Sequence, residues 1–176
     1  MIVIRDLSSD DLENALAFFS AIPESQRKYF RSDVIDKTHL KDRAKQSESG
    51  KIIRRVAEMN GEIVGDTSLE IETESWKSSS AYLRMVVPEK QIGKGIQFAM
   101  AKDMYDIAHD KKLEKIATKL MRPQKDLLEI YSNLGFKMEG VLSDHVHDQE
   151  GHEQDMIVMA APLEELRSAH GFIGDW

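Results

Sequence analysis

The 176 residues suffice for one domain with a sizeable core, and a content of 41% hydrophobic and 31% charged residues is typical of a folded, soluble protein. The lack of cysteine excludes disulfides and thiolate chemistry, the net charge of −7 argues against a general nucleic-acid binder, and no apolar run is long enough to span a membrane. Because the N-terminus also lacks the basic start and apolar core of a signal peptide, we expect one cytoplasmic domain over residues 1–176 that binds neither nucleic acid nor membrane.

Hydrophobic periodicity and turn residues divide the chain into strands and helices. The predicted elements are, in chain order, a strand at 2–5, a helix ending before Pro23, one or two short helices within 24–48, strands at 51–59, 62–73 and 81–87, a helix at about 94–110, a strand at 113–121, a helix from 123 to 135, strands at 136–142 and 156–160 joined by a long polar segment, and a polar tail at 163–176. This order predicts a mixed α/β or α+β fold with helices on both faces of one sheet.

The strands at 51–59 and 62–73 are predicted to form a β-hairpin, because an Asn-Gly pair typical of tight turns separates them. Alternation in the second strand predicts that Ile63 and Gly65 share an apolar face. Glu70 and Glu72 then lie on the opposite, polar face.

Residues 83–100 carry the strongest local signal for a binding site. An apolar run ends at Pro88, a polar loop with Gly93 and Gly95 follows, and a helical pattern then begins. The N–H groups at a helix start have no partner within the helix, and the helix dipole adds positive potential there, so this loop suits an anion such as phosphate. Neither the Walker pattern nor the dinucleotide fingerprint is present, and a Gly-Lys-Gly sequence by itself is more often only a turn.

Two separated motifs resemble the GNAT superfamily of acyl-CoA-dependent N-acetyltransferases. The first is VVPEKQIGKGI followed by a helix and a strand, and the second is LEIYSNLGFKMEGVL. In the second motif, Tyr131 precedes the Leu134-Gly135-Phe136 turn as the family's tyrosine does. The resemblance covers roughly residues 50–160.

The cofactor loop aligns with the family pattern in two registers, and both stay open. If Gly95 is the central family glycine, Ile92 stands at the family's Gln/Arg position and Gln97 at its Gly/Ala position. If Gly93 and Gly95 are the two family glycines, Lys90 stands at the Gln/Arg position. The position seven residues before the tyrosine, often Asn in the family, is Gln124 in this sequence.

The resemblance implies a central, mainly antiparallel sheet with two splayed central strands, and acetyl-CoA as co-substrate. The pyrophosphate of coenzyme A would bind N–H groups of residues 92–97, and its amide-bearing arm would pair with the open edge of the strand at 81–87. An N–H near Val86 could polarise the thioester carbonyl. The residues implied to contact the cofactor are Met85, Val86, Val87, Gln91, Ile92, Gly93, Lys94, Gly95, Ile96, Gln97, Gln124 and Tyr131.

Tyr131 is the candidate general acid, because a phenol with an ordinary pKa near ~10 suits protonation of a departing thiolate. Its place in an apolar helical stripe alone favours a core tyrosine, whereas its match to the family motif favours catalysis. Glu70 and Glu72 are candidate bases for the amine, and the alternative for both is a solvated strand face.

The resemblance thus implies an enzyme that moves an acetyl group from acetyl-CoA to a primary amine by direct attack in a ternary complex. The alternatives are a non-catalytic acyl-CoA-binding or sensing module on the same fold and, more weakly, a nucleotide-binding module. Polyamines, amino acids, aminoglycosides and protein amines all stay open as acceptors, and the net charge of −7 slightly favours cationic ones. The family also suggests a homodimer.

A histidine-rich segment raises the question of a metal. His145, His147 and His152, with Asp148 or Glu153, could supply nitrogen and oxygen ligands. The same residues are typical of a polar hairpin loop, and we expect no bound metal. The family places this hairpin near the acceptor side, where the histidines could line an acceptor pocket.

Overall fold

The computed structural model describes residues 1–50, 52–77, 79–169 and 171. Its strands are β1 (Ile2–Asp6), β2 (Ile53–Met59), β3 (Glu62–Ile71), β4 (Ser80–Val86), β5 (Lys115–Met121), β6 (Lys137–His147) and β7 (Glu153–Pro162). Its α-helices are α1 (Leu12–Ser20), α2 (Glu24–Arg27), α3 (Lys37–Glu48), α4 (Ile96–Asp110), α5 (Lys125–Leu134) and α6 (Leu163–Ser168). Lys51, predicted to start the second strand, and residues 170 and 172–176 of the predicted tail lie outside the described residues.

One seven-stranded sheet organises the fold, with strand order β1-β2-β3-β4-β5-β7-β6. All its strand pairs are antiparallel except β4 and β5, which run parallel. These two strands pair only between Ser80–Tyr82 and Lys115–Ala117. Beyond that point they separate, so the predicted mixed, mainly antiparallel sheet with splayed central strands is confirmed.

Helices cover both faces of the sheet, as predicted. Successive strand residues point to opposite faces, and the side chains of each face pack in a separate hydrophobic core. Val56 of β2 packs with residues of α1 and α3. Its neighbour Ala57 faces the opposite way and packs with residues of α4, α5 and α6. The second core is the larger, and it contains the fully buried face of α4.

The prediction for Ile63 was wrong, because β2 and β3 do not pair in a continuous register. A β-bulge shifts the register after Ala57, which pairs with Gly65, whereas the next residue along β2 pairs with Ile63. Val64 is therefore the extra residue, and Ile63 turns to the face covered by α1. Alternation by two residues cannot reveal such an insertion.

The last two strands are longer than predicted. The predicted polar segment between them is mostly strand, with only residues 148–152 as the turn between β6 and β7. Exposed side chains on both faces of the edge strand β6 hide the alternation that identifies a strand. The tail also forms a helix, because Leu163 and Leu166 of α6 are buried against the larger core. No described helix has both the length and the apolar character that crossing a bilayer requires.

Candidate active site

The separation of β4 and β5 opens a cleft of about 330 Å³, which we call the central cleft. One wall is the end of β4 and the loop after it, and the other is the turn from β5 into α5. Aromatic residues of the segment between α2 and α3 lie over it. The lining residues include Tyr29, Phe30, Met85, Val86, Val87, Ile92, Gln124, Leu127 and Ile130.

The glycine loop lies at one end of this cleft and leads into α4. Gly93 and Gly95 have φ values of +82° and +78°, a region that side chains oppose, and Gly95 is the N-cap of α4. A Cβ built at either glycine meets no atom within 4 Å, so open space lies beside the loop. This geometry explains both glycines by their φ angles and leaves the backbone accessible.

The N–H groups of this loop divide into two sets. Those of Ile92 and Lys94 donate to carbonyls within the loop, at 3.0 and 3.3 Å. Within the described chain, no backbone carbonyl accepts from Gly93, Gly95 or the first two residues of α4. Four of the six N–H groups of residues 92–97 are therefore available to a ligand at the positive end of the α4 dipole.

A second cavity, the loop cavity, adjoins the start of α4 and shares Ile92 and Ile130 with the central cleft. Gln97 lines it, whereas the Ile96 side chain is fully buried in the core and offers only its backbone. Lys94 is exposed on the loop. The loop cavity also contains three carboxylates, those of Glu89, Asp126 and Glu129.

Gln91 is not brought into the cleft. Its side chain is buried and lines a separate cavity on the α1 side, with Asn14 and Ile63. No described residue bonds its Oε1. Of the residues expected to contact a cofactor, this one lies away from the others.

Tyr131 extends from α5 to the point where β4 and β5 separate. Its ring is 2% exposed and packs edge-on against Phe136, with ring centres 5.2 Å apart. Its hydroxyl donates to the Leu83 carbonyl at 3.4 Å, a long hydrogen bond. The tyrosine is thus both a core residue and a hydroxyl at the cleft, where it lines the same cavity as Met85 and Thr118.

Burial raises the pKa of Tyr131 to about 12, because desolvation disfavours the phenolate. The Thr118 hydroxyl and the Met85 N–H, which favour the phenolate, offset part of this rise. The Leu83 carbonyl and the Met85 N–H both point toward Tyr131. Because backbone groups of successive strand residues point to opposite sides, the Val86 N–H points toward β3, where Val86 pairs with Asp66. Met85 rather than Val86 therefore offers its N–H to the cleft.

Gln124 lies at the turn from β5 into α5 and lines the central cleft. Its Oε1 accepts the Met121 N–H at 2.8 Å, so the carbonyl end of the side chain is used to close the turn. The two donors of the NH₂ group, and the second lone pair of Oε1, are left for a ligand.

Neither candidate base lines a cavity at the cleft. Glu70 lies on the polar face of β3, and Arg84 of β4 donates to its Oε2 at 2.7 Å. Arg84 itself lines the cavity that contains Tyr131, so Glu70 is one residue removed from the cleft. Glu72 lies farther away, because its N–H bonds Ser80 at the end of β4 that is still paired with β5.

The cavity on the Tyr131 side of the cleft, which we call the basic cavity, has a volume of about 110 Å³. Sequence reasoning missed its charged residues, because they come from four distant segments. Its cationic side chains are Arg31 from the α2–α3 segment, Arg43 from α3, Arg84 from β4 and Lys119 from β5. A signal in the sequence could have pointed to Arg84: it is a charged residue within an otherwise apolar strand, next to the strand that carries Glu70.

The β6–β7 turn holds the segment that covers this cavity. The Gln149 side chain donates to the backbone carbonyls of Phe30 and Ser32 at 3.2 and 2.9 Å. The Gln149 backbone N–H donates to the Lys28 backbone carbonyl at 2.8 Å. Lys28 also forms an ion pair with Glu150 at 3.1 Å. The hairpin therefore reaches the cover of the basic cavity through its turn, and none of its histidines is among the described residues that line this cavity.

Of the residues considered as metal ligands, His152 and Asp148 lie together with Glu150, and His147 Nε2 lies 3.9 Å from Glu153 Oε1. The Asp148 carboxylate accepts the N–H groups of Glu150 and His152 at 3.0 and 2.9 Å, which gives it a structural role in the turn. His145, His147 and Glu153 are exposed and do not join this group.

Comparisons with known proteins agree with this geometry. A family model described as an acetyltransferase (GNAT) domain matches residues 4–158. No curated protein sequence matches the chain.

Solved structures match over nearly the whole chain. RimJ of Mycobacterium smegmatis in complex with CoA-disulfide is 19% identical with a TM-score of 0.79, and the match covers 98% of this chain and 88% of that one. An N-acetyltransferase from Staphylococcus aureus is 16% identical with a TM-score of 0.78, covering 93% and 99%. Ribosomal-protein-alanine N-acetyltransferase from Brucella melitensis is 19% identical with a TM-score of 0.76, covering 91% and 99%. At these identities, the matches establish a shared fold.

Proposed function

This chain belongs to the GNAT family of acetyltransferases, and from that premise we propose that it transfers an acetyl group from acetyl-CoA to a primary amine. The observation that carries the proposal is the splayed pair β4 and β5. Their separation leaves an open strand edge in the central cleft, whose lining includes Ile92 of the glycine loop, and Tyr131 lines the basic cavity that adjoins this cleft at Met85 and Val86. Acetyl-CoA, when bound, supplies the acetyl group as an activated thioester.

The pyrophosphate is assigned to the start of α4. The available N–H groups of Gly93, Gly95, Ile96 and Gln97, together with the α4 dipole, support this assignment. Glu89 and Asp126 line both the loop cavity and the central cleft, and Glu129 lines the loop cavity. Because these carboxylates would repel phosphate oxygens, we assign the pyrophosphate to the backbone N–H groups.

The amide-bearing arm of coenzyme A is assigned to the central cleft. No described strand pairs with β4 beyond Tyr82 on the β5 side, so the backbone groups of this edge can pair with an extended, amide-containing ligand. Met85, Val86 and Val87 supply this wall, and the free NH₂ of Gln124 faces them from the α5 side. The apolar residues around them exclude water from the arm.

Tyr131 is assigned the proton that the leaving thiolate needs. Its raised pKa keeps the hydroxyl protonated throughout the neutral range, which a general acid requires. The Met85 N–H, directed at the same spot, is the proposed donor to the acetyl carbonyl oxygen. The sheet and α5 hold both groups in place, and the Tyr131 hydroxyl turns its hydrogen from the Leu83 carbonyl to the sulfur.

The acceptor amine is assigned to the basic cavity, from which it can attack directly in a ternary complex. It must lose a proton, and Glu70 is the proposed acceptor of that proton through water, because its partner Arg84 lines the cavity. Glu72 is left out of this role, since it lies at the closed end of the β4–β5 pair.

Two further properties stay predictions. A homodimer would use the exposed edge strand β6, where Val141 and Leu142 are 37% and 43% exposed, and sedimentation equilibrium of Val141→Lys against the unchanged protein would test it. A cytoplasmic location is tested by fractionation of cells.

Incubation with acetyl-CoA and a panel of primary amines tests the proposed reaction. We expect release of the coenzyme A thiol that depends on the amine, with an amide product of matching mass. Thiol release that is equally fast without any amine, or transfer to hydroxyl groups alone, would contradict it.

A further inference from the structure

The charge of the basic cavity is opposite in sign to that of the whole chain. Among its described lining residues are four cations and no carboxylate, in a chain with 31 acidic and 24 basic residues. The concentration of positive charge is therefore local, and the net charge of −7 is a poor guide to what this cavity binds.

The nearby carboxylates compensate only part of this charge. Arg43 forms an ion pair with Asp66 at 2.6 Å, and Arg84 forms one with Glu70 at 2.7 Å. Arg31 and Lys119 form no ion pair within the described part of the chain; Lys119 lies over the Tyr82 ring at 4.0 Å. The four cations thus face two carboxylates, which leaves two positive charges without a counter-ion.

A fifth cation increases the surplus beneath the cavity. Arg54 of β2, Ser68 of β3 and Arg84 of β4 lie side by side across three strands, on the face that α3 covers. The Arg54 guanidinium donates to the side-chain oxygen Oε1 of Gln46 at 3.3 Å. Among the described residues, no carboxylate forms an ion pair with it. Burial, and then repulsion from Arg43, lowers the pKa of Arg54 to about 10.

Hydrogen bonding shows the same deficit of acceptors. The Nε atoms of Arg43, Arg54 and Arg84 are buried, and no described group accepts from them. Buried donors without acceptors cost free energy, and so do buried cations without counter-ions. An anion with several oxygens relieves both deficits at once, since Arg guanidinium groups bind carboxylate and phosphate in a two-pronged way.

The position of the cavity points to the acceptor rather than to the cofactor. Tyr131 lines it, and it shares Met85 and Val86 with the central cleft, so it joins the cleft at the reacting end. The loop of residues 92–97, where the cofactor phosphates are assigned, contributes nothing to its lining. A volume of about 110 Å³ accommodates a group the size of roughly three or four water molecules.

We infer that the basic cavity binds a carboxylate or phosphate group of the acceptor, so that the acceptor is a small anionic amine and not a polyamine. This inference rests on the proposed acetyl transfer to an amine, and it replaces the slight preference for cationic amines expected from net charge. Arg31 and Arg84 hold the anion, while the amine of the same molecule lies toward Tyr131.

Binding of matched amines to the protein saturated with coenzyme A tests the inference without turnover. The probes are 4-aminobutyrate, butylamine and 1,4-diaminobutane, which share a four-carbon chain, and 2-aminoethyl phosphate with ethanolamine. Calorimetry should give dissociation constants at least about tenfold lower for the anionic members, because a hydrogen-bonded charge pair contributes that much or more. The carboxylate and phosphate probes distinguish the two kinds of anion.

Substitutions then show whether the cavity is responsible. Arg31→Gln and Arg84→Gln should each remove most of the preference for the anionic probes and leave butylamine binding unchanged. Arg122→Gln, an exposed arginine outside the cavity, serves as the control and should keep the preference. Equal affinities, tighter binding of the diamine, no binding of either anionic probe, or a preference that survives both cavity substitutions would overturn the inference.

The two proposals fail separately. If anionic probes bind as expected but no amine is acetylated, the proposed reaction is wrong and the anion site stands. If amines are acetylated without any preference for anionic ones, the reaction stands and the anion site is wrong.

Discussion

Replacing Tyr131 with phenylalanine isolates the hydroxyl that the proposed mechanism requires. The ring keeps its edge-on contact with Phe136 and its place in the larger core, so only the oxygen is lost. Its hydrogen bond to Leu83 is long, at 3.4 Å. The loss of stability should therefore lie at the low end of the roughly 0.5–1.5 kcal/mol typical of a hydrogen bond.

The effect on rate should be much larger. A general acid typically contributes about 10²- to 10⁴-fold, so kcat should fall by that order while the affinity for acetyl-CoA changes little. The folded pKa of Tyr131, about 12, lies above the ordinary value of 10. Its contribution to stability is therefore complete below pH ~10 and is lost progressively as pH rises from the unfolded pKa through the folded pKa of about 12. Between pH 6 and 9, the stability difference between the two proteins should stay constant.

The assay needs an amine that the enzyme accepts and conditions in which chemistry limits the rate. Tyr105→Phe is the matched control, because Tyr105 is equally buried in the larger core and lines none of the three cavities at the site. We expect near-normal kcat for this control and normal acetyl-CoA affinity for both variants by calorimetry. A kcat for Tyr131→Phe within about threefold of the unchanged protein would remove Tyr131 from the mechanism.

Three other substitutions test separate parts of the site. Gly95→Asp should weaken coenzyme A binding in calorimetry by at least about tenfold, through charge repulsion and backbone strain. Gly50→Asp is the control, because Gly50 has a similar φ of +72° and this variant carries the strain alone. Equal effects of the two variants on coenzyme A binding would refute the phosphate assignment. Glu70→Gln should lower kcat/KM by about 10²-fold; an unchanged kcat/KM would show that Glu70 does not accept the proton of the amine. Gln149→Ala removes two hydrogen bonds to the segment over the basic cavity, so the KM for the acceptor should rise about tenfold with kcat nearly unchanged; an unchanged KM would mean that the turn does not organise the cavity.

The sequence predicted the features that depend on local pattern. A few neighbouring residues sufficed to predict the hairpin turn, the glycine loop before α4 and the apolar stripe of α5 that contains Tyr131. The resemblance to the family then predicted how these elements assemble into a fold. The full length of β6 and β7 could not be predicted, because side chains on both faces of β6 are exposed and no alternation marks the strand. The bulge that turns Ile63 to the other face was equally hidden, since one inserted residue leaves no mark on composition.

The basic cavity was the least predictable part of the site. Its arginines are separated by up to 53 positions in the chain, from Arg31 to Arg84, and meet only because α3 packs on the polar face of the sheet. The net charge of the chain is negative whereas the lining of the cavity is positive, because net charge averages this cavity with an acidic remainder. Gln91 shows the converse case: a residue adjacent to a binding loop in sequence turns its side chain into a different cavity.

The central claim is that the cleft between β4 and β5 holds coenzyme A with its sulfur at Tyr131, and a crystal structure of the complex tests it most directly. We expect pyrophosphate oxygens on the N–H groups of Gly93, Gly95, Ile96 and Gln97, and a sulfur atom within about 3.5 Å of the Tyr131 hydroxyl or one water away. Coenzyme A bound elsewhere, or with its sulfur on the far side of β4 from Tyr131, would contradict it.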